Sequence, residues 1–307
     1  MGSVSSPVDL FDLLGQTDRM AILRALVAVD AATAERRLTF TELKRRAGID
    51  DTGRFNYHLG KLVGTLVAKT DEGYRLSKFG RRLLRPMTTG YYDPESTVSE
   101  IRLPGECSRC GASLRVRLHE NVLQVVCTAD HVVNYGLVAS PGLVVEHPPA
   151  EATTALGLLT THAVELGTTG VCPTCHGRVD GEIVPFEVRD RGDSADDGRG
   201  GVVEDSDDAD CYVFRAPCET CGNRFTTPVG GCVTTHPRVV QLYAARDVDV
   251  RRTVPWTHPF RHAGAAEVVS HDPFRIGLVV GAELSGESLY LTLDGTGSVR
   301  SLQRLPP

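Results

Sequence analysis

The apolar residues of segment 53–64 (GRFNYHLGKLVG) recur with the period of an α-helix. Positions i, i+4, i+7, i+8 and i+11 of the pattern are Phe55, Leu59, Leu62, Val63 and Leu66. Such a stripe is typical of a helix that packs one face on a core. A second face carries two cations, a phenol and an imidazole, which are Arg54, Tyr57, His58 and Lys61, with Asn56 nearby. We therefore predict an amphipathic helix over 52–64 whose polar face is free to contact a ligand.

Two more helices are predicted before this one. Residues 8–29 have an apolar side in two pieces, and Thr17 or Asp18 is a candidate N-cap of the second piece. Thr39 followed three residues later by Glu42 is a capping box, which predicts the start of a further helix. The segment before 52–64 therefore supplies a short succession of helices.

A hairpin and a last helix are predicted after it. Two short alternating runs in LVAKTDEGYRLS flank residues 71–73, which are Asp-Glu-Gly and favour a turn. The following SKFGRRLLRPM predicts a helix that ends by Pro86. The order of helices, hairpin and helix within residues 1–90 is typical of a winged helix-turn-helix.

The rest of the chain predicts small β modules and one long helix. Residues 148–167 have helical character, and Val-rich runs after residue 250 alternate with Gly-containing turns, which favours a small antiparallel sheet. Trp256 is expected to be a packing anchor where this sheet meets the preceding helix. The fold class predicted is α+β, with a winged helix-turn-helix, then zinc-ribbon β modules, then the small C-terminal antiparallel sheet.

Charge is distributed unevenly along the chain. Residues 1–90 hold 15 of the 33 Lys and Arg against 10 of the 39 Asp and Glu, which is a net charge of +5. The remaining residues hold 18 against 29, which is −11, although the whole chain is only −6. The N-terminal part is therefore suited to a polyanion and the remainder is not.

Three segments carry a family resemblance: LLGQTDRMAILRAL, LTFTELKRRAGIDDTGRFNYHLGKLVG and DEGYRLSKFGRRLL. They resemble the ArsR-like winged-helix regulators abundant in halophilic archaea, in which zinc-ribbon-like segments follow the winged helix. The resemblance covers residues 8–90 closely and the later Cys-rich part more loosely. It implies a transcriptional regulator that binds double-stranded DNA as a homodimer.

In such a fold the recognition helix faces the base edges, and flanking cations contact phosphates. Arg54 is expected to pair with guanine and Asn56 with adenine. Tyr57 and His58 have an alternative, which is packing toward the hairpin or a dimer partner. The residues expected to contact DNA are Lys44, Arg45, Arg46, Thr52, Arg54, Asn56, Tyr57, His58, Lys61, Lys69 and Arg75.

The cysteines indicate metal rather than disulfides. All nine lie at or after Cys107, and six of them form CxxC pairs, which places two thiolates on one tetrahedral ion. The first predicted site has three cysteines and one histidine, namely Cys107, Cys110, Cys127 and His131, and a hairpin between the pairs brings these ligands together. Asp130 and His119 are alternatives to His131.

A second site is predicted from two later CxxC pairs, Cys172 with Cys175 and Cys218 with Cys221. A rival set combines the latter pair with Cys232 and His236. The gap between the two pairs contains a strongly acidic segment, 188–210, which is interpreted as a disordered insert.

The domains expected are 1–90, a first module over 91–147, and 148–307 with the second site. Two structural Zn²⁺ ions are expected as cofactors.

The leading hypothesis is a sequence-specific DNA-binding regulator with a zinc-stabilised C-terminal module for dimerisation or effector sensing. The alternative is a zinc-ribbon interaction module that contacts transcription machinery without reading DNA. An enzyme is not expected, and no catalytic residue is predicted, because HExxH, P-loop and GxSxG motifs are absent. No membrane partner is expected, and the lack of a long apolar window or signal peptide predicts a cytoplasmic protein.

Overall fold

The chain forms two compact units in a computed structural model, Met1–Ser96 and Thr97–Pro307. The structure describes residues 6–32, 37–86, 101–107, 110–119, 122–137, 143, 146–186 and 211–307. The acidic insert predicted over 188–210 lies outside the described residues. Each unit has its own buried apolar core.

The first unit contains five helices and one hairpin among its described residues. In chain order they are α1 (Pro7–Leu14), α2 (Thr17–Ala32), α3 (Phe40–Ala47), α4 (Thr52–Leu62), β1 (Val67–Thr70), β2 (Gly73–Leu76) and α5 (Lys78–Leu84). The strands β1 and β2 are antiparallel, with Thr70 opposite Gly73 at the turn. The predicted combination of N-terminal helices with small antiparallel sheets is confirmed.

Local capping explains where these helices begin. The capping box of α3 is formed, since Thr39 Oγ1 accepts the N–H of Glu42 at 3.3 Å and Glu42 Oε2 accepts the N–H of Thr39 at 2.9 Å. The prediction that Thr17 or Asp18 caps α2 is wrong, because both lie inside that helix. Gln16 Oε1 accepts the N–H of Asp18 at 3.0 Å instead, which leaves the Asp18 carboxylate to face another helix.

The apolar stripe of α4 packs on the core of the first unit. Phe55, Leu59, Leu62 and Leu66 are all buried with the core residues of α2 and α3, while Val63 is half-buried. The ring of Phe55 meets that of Phe40 edge to face, with centroids 4.9 Å apart. This packing fixes the rotation of α4 about its axis and therefore determines which of its side chains reach the surface.

The second unit contains three antiparallel sheets and two α-helices among its described residues. The first sheet has β3 (Ile101–Glu106), β4 (Ser113–His119), β5 (Val122–Cys127) and β6 (Val132–Leu137), and α6 (Pro149–Thr168) follows it. The next sheet has β7 (Glu182–Pro185), β8 (Tyr212–Pro217) and β9 (Arg224–Pro228), followed by α7 (Pro237–Ala244). The last has β10 (Ala266–His271), β11 (Phe274–Val280), β12 (Ser288–Leu293) and β13 (Val299–Leu305). In every sheet the strands lie in chain order.

Two apolar cores hold these sheets. One joins the β7–β9 and β10–β13 sheets with α7, and the other joins the β3–β6 sheet with α6. Trp256 is a buried packing residue as predicted, but its predicted location is wrong, because it packs in the core of the β3–β6 sheet rather than against the C-terminal sheet. Its indole Nε1–H donates to the carbonyl of Pro104 at 3.3 Å. Among the described residues, none of the helices is long and apolar enough to cross a membrane.

The turn between β12 and β13 depends on one carboxylate, Asp294. It accepts the N–H and Oγ1–H of Thr296, the N–H of Ser298 at 3.1 Å and the Nε–H of Arg300 at 2.7 Å. Burial alone would raise the pKa of Asp294, but the hydrogen bonds from Thr296, Arg300 and Ser298 outweigh it and lower the pKa to about 2.

Asp294→Asn should destabilise the second unit near neutral pH. The folded pKa is depressed, so the ionised carboxylate contributes stability above its unfolded pKa of about 3.9, and this is lost as the pH falls toward about 2. The difference in thermal midpoint between variant and parent should therefore shrink in acid. Asp180→Asn, which removes an exposed pair with Arg178, is the matched control and should have little effect. A difference that stays constant across this pH range would contradict the role of Asp294.

Gly80 and Gly60 offer a paired test of helix packing. A Cβ on Gly80 in α5 would lie 2.2 Å from the carbonyl oxygen of Leu66, whereas nothing lies within 4 Å of one on Gly60 in α4. Gly80→Ala should destabilise the first unit by about 2 kcal/mol or more, and Gly60→Ala should stabilise it by about 1 kcal/mol. Thermal unfolding followed by helical circular dichroism measures both. Equal effects of the two substitutions would refute the packing of α5 on Leu66.

Candidate nucleic-acid interface and metal centres

The polar face of α4 is exposed at most of the positions predicted to contact DNA. Thr52, Arg54, Asn56, Tyr57 and Lys61 all have exposed side chains. Tyr57 is 61% exposed, and the Lys61 ammonium lies 5.5 Å from its ring centroid. This face therefore combines cations, an amide and an aromatic ring on one short helix.

His58 does not share that exposed face. Its ring is buried, and its Nε2 lies 3.1 Å from Oδ2 of Asp18 on α2. Helical spacing placed His58 beside Arg54 and Lys61, but the side chain turns toward the core at the boundary between the two faces. The expectation that His58 lies on the exposed face is therefore wrong: its ring is buried beside Asp18 of α2.

Asp18 is a residue of this site that the sequence analysis missed. Arg54 donates from Nε to Oδ2 and from Nη2 to Oδ1, the second bond being 2.7 Å long. The hydrogen bond and then the charge of Asp18 raise the pKa of Arg54. Asp18 and Arg54 are 36 positions apart, so no local pattern connects them.

The end of α3 adjoins the start of α4. Lys44 is half-buried and its Nζ donates to Thr52 Oγ1 at 2.8 Å, which joins the two helices across the turn between them. The neighbouring Arg45 and Arg46 are exposed. These two predicted contacts therefore stay at the surface while Lys44 helps to fix the angle of the turn.

The hairpin carries the remaining predicted cations. Lys69 lies on β1 and is exposed, with its Nζ 6.0 Å from the ring centroid of Tyr74 on β2. Arg75 on β2 is half-buried and is opposite Ala68 in the strand register. Lys69 is therefore the more accessible of the two to a polyanion.

The first cluster that could hold a metal ion lies where strands of the first sheet end. Cys107 follows β3, Cys127 ends β5, and the ligand atoms of these two residues with Cys110 and His131 all lie within 4.8 Å of one another. The Sγ of Cys107 is 3.7 Å from Nδ1 of His131, and the Sγ of Cys110 is 3.8 Å from that of Cys127. The predicted ligand set is thus brought together by the β4–β5 hairpin.

His131 rather than Asp130 completes this cluster. The His131 N–H donates to the Cys127 sulfur at 3.3 Å, whereas Asp130 accepts a hydrogen bond from Arg115 at 2.9 Å. Gly111 has a φ of +68°, a left-handed conformation that lets the chain turn between Cys110 and β4. These local contacts hold the ligands in place.

The second cluster joins two similar turns. The Sγ of Cys172 is 3.7 Å from that of Cys221, the Sγ of Cys175 is 3.6 Å from that of Cys218, and all four lie within 4.8 Å of one another. In the two turns the N–H of Cys172 and that of Cys218 each donate to a carbonyl five residues further on, at 2.8 Å. The two pairs meet although a long segment separates them in the sequence. This agrees with the entropic cost of closing a loop, which rises only with the logarithm of the loop length.

The rival ligands Cys232 and His236 lie outside this cluster. His236 caps α7, where its Nδ1 accepts the N–H of Arg238 at 3.3 Å. Burial raises the pKa of Cys232 to about 12, which keeps it a neutral thiol. Cys211 is buried just before β8, whereas Cys232 is half-buried against the same core. Both are small packing residues, as predicted from the two-pair partition.

Both clusters fit a tetrahedral metal ion. A thiolate-bound ion with bonds of about 2.3 Å places its sulfurs roughly 3.8 Å apart. The closest ligand pairs here are separated by 3.6–3.8 Å. The spacing of the ligand atoms therefore leaves room for one ion at the centre of each cluster.

The thiols of the second cluster perturb one another strongly. For Cys172, burial opposes ionisation, but N–H groups of Cys175 and Thr174 and the neighbouring thiols lower the pKa to about 6. For Cys221, an N–H of Asn223 favours ionisation, but neighbouring thiols and burial outweigh it and raise the pKa to about 12. Such crowded thiols ionise together only beside a cation.

The fold and the two ligand clusters define a protein with a helical N-terminal unit and two sites that can hold metal ions. Residues 104–299 match a family described as "Domain of unknown function (DUF7351)", and residues 7–87 match "Domain of unknown function (DUF7347)". Because the first match covers more than half of the chain, the chain belongs to the DUF7351 family. No curated protein and no solved structure matches the chain.

Each cluster should hold one metal ion independently of the other. Cys107→Ser and Cys172→Ser should each remove one equivalent of bound metal per chain, since each cluster loses one of its four ligands. Elemental analysis of purified protein measures the metal-to-chain ratio. Cys232→Ser is the matched control and should leave the ratio unchanged. Loss of metal from Cys232→Ser, or full metal content in both ligand variants, would contradict these ligand sets.

Proposed function

We propose that the protein is a sequence-specific DNA-binding transcriptional regulator. Its first unit acts as a winged helix-turn-helix, with α3 and α4 as the helix pair, α4 as the recognition helix, and β1 and β2 as the wing. The observation that carries this proposal is the exposed polar face of α4 within an N-terminal part of net charge +5. Cations on such a face replace the counterions of duplex phosphates.

The residues of this face divide into two roles. Arg54 and Asn56 lie near the start of α4 and read base edges in the major groove, since guanidinium pairs with guanine and amide with adenine. Exposed cations on α3 and the hairpin contact phosphates and set the register. Tyr57 and Lys61 contact the backbone or a base further along the groove. The exposed cations on α3 and on the hairpin are Arg45, Arg46 and Lys69.

The two clusters of the second unit hold structural Zn²⁺ ions. One donor set has three cysteines and one histidine, the other has four cysteines, and both are sets that zinc prefers. Each provides all four ligands, which leaves no open position for a reacting molecule. When bound, the ion neutralises the thiolates and stabilises the fold of the surrounding turns. The second unit then serves as a zinc-ribbon module for dimerisation or for contact with an effector or a partner.

Arg54→Ala combined with Lys61→Ala should weaken binding to duplex DNA by at least about tenfold, because a base contact and a phosphate contact are lost. The slope of log affinity against log salt should also become shallower. Fluorescence anisotropy of a labelled duplex, titrated with full-length protein at several salt concentrations, measures both.

A control pair makes the same change in net charge elsewhere. Arg178→Ala with Arg251→Ala removes two exposed cations from the second unit and should leave both affinity and salt slope unchanged. Equal loss in both double variants would mean that net charge alone drives binding. An absence of duplex binding by the parent protein would refute the proposal and favour a protein-interaction module.

A further inference from the structure

Asp18 is a buried carboxylate beneath the exposed face of α4. Both of its oxygens are used by side chains of that helix: Oδ1 accepts from Arg54 Nη2 at 2.7 Å, and Oδ2 accepts from Arg54 Nε and lies 3.1 Å from His58 Nε2. Asp18 itself belongs to α2, which packs behind α4 in the core. Asp18, a buried residue of a neighbouring helix, therefore holds the guanidinium of Arg54 on the exposed face of α4.

The contact selects which edge of the Arg54 guanidinium remains available. A guanidinium carries N–H donors along its Nε/Nη2 edge and along its Nη1/Nη2 edge. Asp18 occupies the first edge, and the Arg54 side chain is still 61% exposed. The remaining Nη1/Nη2 edge is the pair of parallel donors that fits O6 and N7 of guanine in the major groove.

His58 holds Asp18 from the other side. The Nε2 of the buried His58 ring lies 3.1 Å from Oδ2 of Asp18, which makes a close polar contact between α4 and α2. The buried ring is further fixed by an edge-to-face contact with Tyr57, whose centroid is 5.1 Å away. Asp18 is thus restrained by two residues of α4, and it restrains Arg54 in turn.

We propose that Asp18 is a positioning residue that gives the protein its preference for guanine at one base pair. This inference rests on the proposed function, because it concerns the same face of α4. By fixing Arg54 before binding, Asp18 removes conformational freedom that the side chain would otherwise lose on the DNA. Asp18 does not contact DNA, and its negative charge disfavours phosphate.

The negative charge of Asp18 gives its two possible roles different effects on DNA binding. If Asp18 only neutralised Arg54, its removal would raise affinity for DNA and preserve or increase the preference for guanine. If Asp18 positions Arg54, its removal raises or maintains affinity for duplexes in general but lowers the preference for guanine. The guanine preference then falls while overall affinity does not, which a residue with a merely structural role would not produce.

The test uses full-length protein and a pool of synthetic duplexes with a randomised central segment, with sequencing of the bound fraction. The parent should enrich guanine at one position or more. Asp18→Asn should lower that enrichment about tenfold at one position, leave enrichment elsewhere intact, and leave total duplex affinity unchanged or higher. Arg54→Lys should lose enrichment at the same position, and the double variant should lose no more than either single one, because the two residues act together.

Asp30→Asn is the matched control. Asp30 is also a buried aspartate on α2, and it pairs with Arg81 of α5 at 2.7 Å, so its loss has a similar structural cost but does not involve α4. It should keep the guanine preference. Asp18→Glu is a second test variant that keeps the negative charge, in case Asp18→Asn does not fold. It moves the carboxylate by one methylene, so it should lower the guanine preference several-fold without raising affinity.

The outcomes separate the inference from the function on which it rests. A parent protein that binds no duplex refutes the proposed function itself. A parent that binds duplexes while Asp18→Asn and Asp18→Glu keep the parental guanine preference overturns the role of Asp18. A parent that binds duplexes without any preference for guanine overturns it as well.

Discussion

The crowding of four potential ligand atoms is the constraint on which each cluster of the second unit depends. Four ligand atoms within 4.8 Å of one another, as in each cluster, are compatible with ionised sulfur only when a cation lies among them. The turns that carry these ligands follow β3, β5 and α6 and connect β8 to β9, so three of the four lie beside strands. A metal ion at either cluster would therefore hold together the turns beside these elements as well as its own four ligands.

The local features of the fold could be predicted from the sequence because each depends on neighbouring residues. A CxxC pair fixes two sulfurs through one tight turn, and the capping box of Thr39 and Glu42 depends on a spacing of three. The grouping of Cys172 with Cys221 was predicted as well, although it spans 49 positions, since one CxxC pair needs a second to complete four ligands. Periodicity also predicted the buried stripe of α4.

Contacts between distant residues that share no such motif could not be predicted. Asp18 has the position of a helix cap in the sequence, and only the packing of α2 on α4 reveals that it binds Arg54 and His58. His58 lies at the edge between the two faces of α4, where a period of 3.6 residues does not decide burial. Trp256 has no sequence signal that points to Pro104, to which it donates a hydrogen bond.

The contact between Trp256 and Pro104 has a consequence for biosynthesis. Its two residues are 152 positions apart, and Val254 and Trp256 are part of the core that covers the β3–β6 sheet. During translation that sheet leaves the ribosome well before the residues that complete its core. The nascent chain therefore keeps apolar strand surface exposed for much of its synthesis. During that time a chaperone, or a metal ion bound by the first cluster, would protect the chain from aggregation.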